Sequence, residues 1–356
     1  MRELIPTIQS WLSHGKQMAL ATVIEVQGSS PRPQGAKMLV SSNSEMVGSV
    51  SGGCVEGNVV EEALQCIQNS QPRLLEYGID NSSPWSVGLA CGGQIKVFIE
   101  PVFPAALPNG FNFIFFSRLI ELINAGKSFL IASVISGEKT GEKGLYSSQR
   151  WVFGDAEEGW VNNISPHLEQ LMENETSNSE LVEIDPSQTQ KIFLEKVLPP
   201  ARLVIVGAVH IAASLVNIAR ELGYQTIVID PRSAFLTYER FPSASDLVHA
   251  WPQDALEKMN LNHTDCLVSL SHDQKIDVPA LSFALKSEVG YIGLLGSIKT
   301  REERFNALRE EGVTNHALER IHAPVGLDIG AVNPEEIAIS IMAEIIAGKR
   351  KEKKKI

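Results

Sequence analysis

Hydrophobic residues in the carboxy-terminal half of the chain fall into two alternating kinds of block. The run ARLVIVGA at 201–208 is almost wholly apolar, which is typical of a parallel strand buried on both faces. The next block, IAASLVNIARELG at 211–223, has helical spacing and ends at a glycine. Further strands are predicted at 225–230, 265–271 and 291–297, and further helices around 278–287, at 300–311 and after Asn333. Residues 201–348 are therefore predicted to form a Rossmann-like, doubly wound parallel sheet of the α/β class.

The amino-terminal part of the chain also mixes helices and strands, but its pattern is different. An amphipathic helix at 3–14 precedes predicted strands at 18–27 and 37–42. A glycine-rich turn then leads into a helix whose apolar positions are Val55, Val59, Ala63 and Ile67. Strands are predicted near 73–78 and 94–100, and Pro and Gly residues at 104–110 indicate a linker. Residues 1–107 are predicted to be one αβ domain.

The segment 108–200 repeats this domain in outline. HGKQMALATVIEV at 14–26 aligns with AGKSFLIASVISG at 125–137, and VFIEPVFPA at 97–105 aligns with IFLEKVLPPA at 192–201. The helix at 167–175 stands where the helix after the glycine-rich turn would be. We interpret the segment as a degenerate second copy that packs rather than performs chemistry; two unrelated αβ units are the alternative. The predicted order is thus 1–107, 108–200, 201–348 and a basic tail at 349–356.

The sequence SGGCVEG at 51–57 has the strongest chemical signal. Gly52 and Gly53 allow a sharp turn and a close approach to a ligand. Ser51 is predicted to cap the following helix, which places Cys54 in its first turn, where the helix dipole favours a thiolate. Cys54 is then a candidate ligand or nucleophile. The alternative is a small buried residue at a tight strand-to-helix junction.

Long stretches of the chain resemble the XdhC/CoxI family, the accessory factors of xanthine dehydrogenase and related molybdenum hydroxylases. The amino-terminal matches are GSSPRPQGAKMLV at 28–40, SGGCVEG with EEAL at 61–64, and LACGGQIKVFIEP at 89–101. The carboxy-terminal matches are LVIVGAVHIAASL at 203–215, GLLGSIKTREERF at 293–305 and APVGLDIGAVNPEEIAISIMAEIIA at 323–347. The resemblance implies a protein that binds molybdenum cofactor (molybdopterin) and delivers it to a partner enzyme.

The resemblance also implies where the cofactor lies. It places the cofactor at Cys54, which would bind or protect the metal centre, with Gly52 and Gly53 beside it. Cys91, followed by two glycines, echoes the first cysteine turn. If the two turns lie together, two thiols could flank one metal or exchange sulfur.

The first turn of the Rossmann-like domain departs from the dinucleotide-binding pattern. It reads Gly207-Ala208-Val209-His210, so a valine stands where G-x-G-x-x-G has its second glycine. Asp230 ends the second strand, at the position of a ribose-binding acid. The fold is therefore well predicted, but tight binding of NAD(P) is not expected. His210 remains a candidate because it lies in this turn.

Two further loops of this domain are candidate binding elements. Gly296, Ser297 and Lys299 end a strand and begin a helix, where free N–H groups could hold the phosphate of molybdopterin. Asp328 lies in a loop with two glycines just before the last helix. An ordinary surface turn and a structural aspartate are the respective alternatives.

Composition and charge narrow the class of protein. The chain has 356 residues and is 44% hydrophobic, which is typical of a globular protein of two or three domains. Its net charge is −11 although the tail is basic, so nucleic acid is not expected as a partner. Four irregularly spaced cysteines, no signal peptide and no apolar run of membrane-spanning length predict a soluble cytoplasmic protein.

These observations lead to one functional hypothesis with two alternatives. The first is a factor that binds molybdenum cofactor and inserts it into a xanthine dehydrogenase-type hydroxylase, without itself being a turnover enzyme. The alternatives are an NAD(P)-dependent oxidoreductase that uses the Rossmann-like domain, and a cysteine-based protein that handles sulfur or redox equivalents. A homodimer is suggested only because symmetric dimers are the commonest soluble oligomers.

Overall fold

The computed structural model describes residues 1–78, 92–103, 111–137, 139–154, 159–174, 177–185 and 190–352. The chain divides into two units, Met1–Pro199 and Pro200–Ile356. The first unit holds both segments in which the sequence predicts a repeat, and the second holds the Rossmann-like segment.

The first copy in the amino-terminal unit is an antiparallel sheet with a long helix packed on it. The strands follow the order β3-β2-β1-β5-β4. The elements are α1 (Ile5–Ser13), β1 (Met18–Gln27), β2 (Lys37–Ser41), β3 (Met46–Gly48), α2 (Glu56–Asn69), β4 (Arg73–Tyr77) and β5 (Gln94–Val102).

The second copy has the same elements in the same order. They are α3 (Phe111–Asn124), β6 (Phe129–Ser136), β7 (Lys143–Ser147), β8 (Arg150–Phe153), α4 (Gly159–Glu173), β9 (Ser179–Asp185) and β10 (Gln190–Val197). Their strand order, β8-β7-β6-β10-β9, repeats that of the first sheet strand for strand. A duplication predicts this correspondence of strand order.

Both faces of each sheet are covered, which explains the long apolar runs in β1 and β6. Ala19, Ala21 and Val23 pack beneath α2 in one core. The intervening residues Leu20 and Ile24 pack against residues of the second copy. Because successive side chains of a strand point to opposite faces, a sheet buried on both sides needs apolar residues at nearly every position.

Two buried ion pairs join the copies reciprocally. Lys37 of β2 donates to Glu195 of β10 over 2.7 Å, and Lys143 of β7 donates to Glu100 of β5 over 2.8 Å. Each copy therefore supplies the lysine of one pair and the glutamate of the other. All four side chains are at least 88% buried, because their exposed fractions are 3%, 12%, 4% and 5%.

Each of these lysines donates one further hydrogen bond, and these two bonds also correspond between the copies. Lys37 donates to the hydroxyl of Thr22 over 3.2 Å, and Lys143 donates to that of Ser133 over 2.9 Å. Thr22 and Lys37 are directly paired residues of β1 and β2, as Ser133 and Lys143 are of β6 and β7. The buried lysines and their partners therefore correspond between the two copies in the same way as the strands do.

The carboxy-terminal unit is a six-stranded parallel sheet with helices on both faces. Its strand order, β13-β12-β11-β14-β15-β16, is the 3-2-1-4-5-6 order of Rossmann folds. The elements are β11 (Arg202–Val206), α5 (His210–Glu221), β12 (Gln225–Ile229), β13 (Asp246–Val248), α6 (Pro252–Leu256), β14 (Cys266–Ser269), α7 (Gln274–Lys286), β15 (Tyr291–Leu294), α8 (Ile298–Glu310), α9 (Asn315–Leu318), β16 (Ile321–His322) and α10 (Pro334–Glu352). The predicted α/β class and Rossmann-like domain are confirmed.

The last helix begins as the sequence predicts but ends later. Asn333 Oδ1 accepts from the N–H of Glu336 over 2.9 Å, and Glu336 Oε2 accepts from Val332 N–H over 2.7 Å. The helix then continues through Glu352, past the predicted start of a frayed tail at 349. Lys349 explains the difference, because its ammonium group donates to Thr264 O and lies 4.7 Å from the ring centre of Tyr224.

Within the described part of the chain, none of the helices combines the length and the apolar character needed to span a membrane.

Because these ion pairs are buried, removing one charge of a pair should lower the free energy of unfolding much more than removing both charges. Lys37→Met leaves the Glu195 carboxylate buried without its partner and should cost about 3–5 kcal/mol in the free energy of unfolding. Lys37→Met combined with Glu195→Met removes both charges and should recover most of that loss. Urea denaturation measures both. Arg118→Met is the control, because its pair with Glu121 is exposed and should contribute less than about 1 kcal/mol. Equal losses in the single and double variants would contradict the prediction.

Candidate functional site

Three of the connections that are longer in the first copy carry the glycine- and proline-rich motifs. These are β1 to β2, with residues 28–36 against 137–142; β3 to α2, with 49–55 against 154–158; and β4 to β5, with 78–93 against 186–189. The longer connections contain the PRP, SGGC and CGG sequences. The candidate site is therefore the part of the first copy that the duplication does not reproduce.

Glu56 organises the loop that carries Cys54. Its carboxylate accepts six hydrogen bonds from the five loop positions 49–53. At Oε1 the donors are Ser49 Oγ (2.6 Å), Val50 N (3.3 Å), Ser51 N (2.9 Å) and Gly52 N (3.0 Å). At Oε2 they are Ser51 Oγ (2.5 Å) and Gly53 N (2.8 Å). Consecutive N–H groups that point inward form an anion-binding concavity, and here the anion is the chain's own carboxylate.

This arrangement keeps Glu56 ionised. Burial alone would raise the pKa of its carboxyl group, since the residue is 8% exposed. The hydroxyls of Ser49 and Ser51 and the backbone N–H groups outweigh burial and hold the pKa far below its ordinary value. A permanent negative charge therefore lies at the start of α2, where the helix dipole favours it.

The loop presents Cys54 differently from the prediction. The helix starts at Glu56, so Cys54 precedes it rather than lying in its first turn. Ser51 does not cap the helix; its hydroxyl accepts from the N–H groups of Cys54 and Val55, each over 3.1 Å. The reason is that Glu56 takes the N–H groups of the loop and extends the turn. Cys54 is exposed, while Val50 and Val55 on either side are buried in the core.

The connection 28–36 packs directly against the cysteine loop. Arg32 Nε donates to the carbonyl of Ser49 over 3.2 Å. A Cβ atom built on Gly52, whose φ is +86°, would lie 3.3 Å from the Pro31 side chain. A Cβ on Gly93 would collide with the carbonyl of Ser29. Gly52 and Gly93 are thus approached closely by other segments, whereas the Cβ of a residue at Gly53 would have open space.

The four cysteines are not equivalent. Cys91 lies outside the described residues, so the predicted juxtaposition with Cys54 stays a prediction. Cys66 and Cys266 are buried, and burial raises the pKa of their thiols to about 12 and about 11. Both therefore belong to the cores of their units, and among the described cysteines Cys54 alone is exposed.

Cys54 is not part of a protein metal site within the described residues. Nowhere in the described ranges do three His, Cys, Asp or Glu side chains lie close enough together to hold a metal ion. A single thiol can serve a metal only if most of that metal's ligands come from elsewhere, as in a metal carried by its own organic cofactor. The donor set at Cys54 fits that kind of group and does not fit a structural zinc site.

In the carboxy-terminal unit, the predicted residues all follow the carboxyl ends of parallel strands, the edge where such sheets bind ligands. Gly207 and His210 follow β11, Asp230 follows β12, Gly296, Ser297 and Lys299 follow β15, and Asp328 follows β16. Their contacts, however, are largely with other residues of the unit. A Cβ on Gly207, whose φ is +105°, would lie 2.7 Å from Ser271 Cα, so this glycine serves packing between two loops.

Asp230 is fully buried and has four protein donors. Its Oδ2 accepts from Ala208 N and from the guanidinium of Arg232, each over 2.7 Å. Its Oδ1 accepts from Arg232 N and Nε over 2.8 and 2.9 Å. Burial would raise the pKa of this carboxyl group, but the donors of Arg232 and Ala208 lower it below its ordinary value. The acid at the ribose position is thus already neutralised by the chain.

The other candidates of this unit are exposed. Ser297 caps α8 through Thr300 N–H over 3.2 Å, and Lys299 extends into solvent. Arg304 of the same helix is buried and donates to Asp277 over 3.1 Å instead. His210 is exposed at the start of α5, and Asp328 is exposed with a 3.4 Å bond from Gly330 N–H.

Sequence reasoning did not assign a role to Glu56 or to Arg32, although both lie in motifs that carry the family resemblance. A usable signal existed for Arg32, because the segments 28–36, 49–55 and 78–93 contain no other Lys or Arg. No comparable signal existed for Glu56, since its six donors are mostly backbone groups.

The fold and loops define a class of protein with a duplicated αβ unit, an exposed cysteine on one copy and a Rossmann unit. Two family models match this chain: "XdhC and CoxI family" over residues 11–78 and "XdhC Rossmann domain" over residues 203–345. The chain belongs to the XdhC and CoxI family, as its motifs predicted.

Named relatives are similar over nearly the whole chain. A probable xanthine dehydrogenase subunit of Bacillus subtilis (strain 168) is 28% identical over 346 residues, or 97% of each chain. The molybdenum cofactor insertion chaperone PaoD of Escherichia coli (strain K12) is 25% identical over 340 residues, covering 94% of this chain and 84% of PaoD. A crystal structure named as a xanthine dehydrogenase from Bacillus halodurans matches with a TM-score of 0.77 and 29% identity, covering 98% of this chain and 96% of that one.

The Glu56 carboxylate should stabilise the unit above mildly acidic pH. Glu56→Gln replaces charge-assisted bonds and should cost about 2–3 kcal/mol at neutral pH. Because the pKa of Glu56 is lowered from 4.5, this contribution is present above that pH and is lost as the pH falls through the folded value. In denaturation curves from pH 7 to 3, the difference between the two proteins should therefore stay constant down to about pH 4.5 and begin to narrow below it. A constant difference across this range would show that the charge is not responsible.

The Rossmann turn should bind NAD(H) weakly. Val209 stands at the sequence position of the second glycine of the dinucleotide-binding pattern, and the Asp230 carboxylate already accepts from Ala208 and Arg232. Titration calorimetry should give a dissociation constant weaker than micromolar, which corresponds to less than about 8 kcal/mol. Val209→Gly should tighten binding if any substitution does. Micromolar binding by the unmodified protein would refute this interpretation of the turn.

Proposed function

We propose that this protein is an accessory factor that binds molybdenum cofactor through Cys54 and inserts it into a xanthine dehydrogenase-type hydroxylase. The observation that carries the proposal is one exposed thiol on a loop held rigid by Glu56. The loop is anchored at both ends by buried valines, so its thiol is presented with little conformational freedom. Such preorganisation lowers the entropic cost of binding a ligand.

Two relatives support this proposal by name. One is called a molybdenum cofactor insertion chaperone, and the other is named as a probable part of xanthine dehydrogenase. Both are matched over more than four-fifths of their own length, so the likeness extends beyond one shared domain. Both names are consistent with a protein that assists a molybdenum hydroxylase.

The chemistry at the loop fits a metal that arrives with its own ligands. Bound molybdenum cofactor would supply the metal and its organic ligand, and Cys54 would supply one soft sulfur donor. The chain's own tasks are to keep that sulfur exposed, to fix the loop through Glu56 and to leave one side of the metal accessible to a partner. In the Rossmann unit, Gly207 and Asp230 are already engaged by the chain itself, and the candidate residues left there are His210, Gly296, Ser297, Lys299 and Asp328.

Cys54→Ser should abolish retention of the cofactor without unfolding the protein. The substitution keeps size and hydrogen bonding but removes the soft donor, and the site is an exposed turn rather than a packed core. The measurement is bound molybdenum per chain after isolation from a cofactor-producing cell, together with activation of the partner hydroxylase.

Cys66→Ser is the matched control for this experiment. Its thiol is buried beneath the first sheet, so the substitution should lower stability modestly and leave molybdenum content unchanged. A full complement of molybdenum in Cys54→Ser would remove the proposed thiolate ligand, and Cys54 would then be only a turn residue.

A further inference from the structure

The three long connections of the first copy contain a single cationic side chain. Residues 28–36, 49–55 and 78–93 include Arg32 and no other Lys or Arg. The molecule as a whole carries a net charge of −11. An anionic group that enters this region can therefore find a formal positive charge on these connections only at Arg32.

The backbone N–H groups of the cysteine loop are not available to bind an anion in place of a positive charge. Glycine-rich loops usually bind phosphates through consecutive N–H groups. Here the N–H groups of residues 50–53 all donate to the Glu56 carboxylate. A second anion brought to the same N–H groups would also be repelled by Glu56.

Arg32 is bound to the first residue of the loop that carries Cys54. Its Nε donates to Ser49 O over 3.2 Å, which ties the guanidinium to the loop that carries the cysteine. Its terminal nitrogens are less committed, because the carboxylate partner, Glu3, is 3.8 Å away and 63% exposed. The Arg32 side chain remains 36% exposed. A guanidinium held through Nε with its terminal N–H groups outward can bind an oxyanion by two parallel hydrogen bonds.

The cleft beside Arg32 provides space for such a group. It has a volume of about 260 Å³, and its polar lining consists of Arg32, Gln34, Asn178, Ser179, Lys196 and Glu195, whose carboxylate is paired with Lys37.

We propose that Arg32 binds the phosphate of the molybdopterin whose metal is held at Cys54. This inference rests on the proposed function and adds an anchor for the opposite end of the ligand. The 296–299 turn is the rival location for the phosphate. Arg32 is favoured because it contacts the cysteine loop directly and because its charge is carried on the same unit.

The test compares two forms of one ligand. Molybdopterin released anaerobically from a molybdoenzyme is used intact or after phosphatase treatment, and its dissociation constant is measured by fluorescence titration. Arg32→Ala should weaken binding of the intact form by about 10- to 100-fold, the usual effect of losing charge-assisted hydrogen bonds. It should leave binding of the dephosphorylated form unchanged. Arg32→Lys should recover part of the loss because it restores the charge without the planar fork.

Two matched variants control this experiment. Lys139→Ala lies in the corresponding connection of the second copy and should bind both forms normally. Lys299→Ala tests the rival turn; a selective loss of the phosphorylated form there, with normal binding by Arg32→Ala, would overturn the proposal. Thermal denaturation verifies that each variant is folded.

The remaining outcomes separate this inference from the proposed function. Equal weakening of both forms by Arg32→Ala would mean that Arg32 only supports the loop through Ser49, and the inference would be wrong. If the unmodified protein binds neither form, both the proposed function and this inference are wrong. If the unmodified protein binds both forms equally, the phosphate is not recognised and the inference is wrong, although cofactor binding stands.

Discussion

The reciprocal pairing of Lys37 with Glu195 and of Lys143 with Glu100 is the constraint on which the amino-terminal unit depends. Buried ion pairs add little net stability, but a buried charge without its partner is very costly. Any change in packing that separated the sheets, or shifted one along the other, would leave four charges unpaired at the centre of the core. The two copies are therefore held in one arrangement, and their apolar faces, with Ile24 and Phe98 opposite Ile135 and Phe193, pack around it.

This internal symmetry allows a division of tasks between the copies. The second copy has shorter connections and covers the inner face of the first copy's sheet. The first copy keeps the same strands but extends three connections, and Arg32, Cys54 and Glu56 lie on or beside them. Glu56 has the central part here, because a glycine-rich loop without an internal anion would be flexible and would expose unpaired N–H groups. With the carboxylate in place, the loop has a defined shape before any ligand arrives.

The Rossmann unit shows that a ligand-binding fold does not by itself provide a ligand site. Several residues that a dinucleotide would need have other partners: Asp230 is bound by Arg232, and Gly207 lies against Ser271. Among the predicted residues, His210, Lys299 and Asp328 remain accessible at the carboxyl edge. The same edge that binds nucleotides in other proteins is here closed partly by the chain's own side chains.

The sequence by itself determined the fold class, the family and the repeat, because these depend on periodic apolar patterns and long motifs that are local in the chain. It also made Cys54 a candidate, since two glycines stand beside this cysteine, and it distinguished Cys54 from Cys66 and Cys266, which the structure places in the cores. Only the tertiary structure decided where α2 begins, which charges face each other and what Arg32 touches. Each of these depends on groups distant in sequence, or on backbone N–H groups that nearly every residue has, and neither leaves a local pattern. The loop at Glu56 is the clearest case, because its shape comes from a carboxylate that accepts four N–H groups for which a helix provides no acceptor.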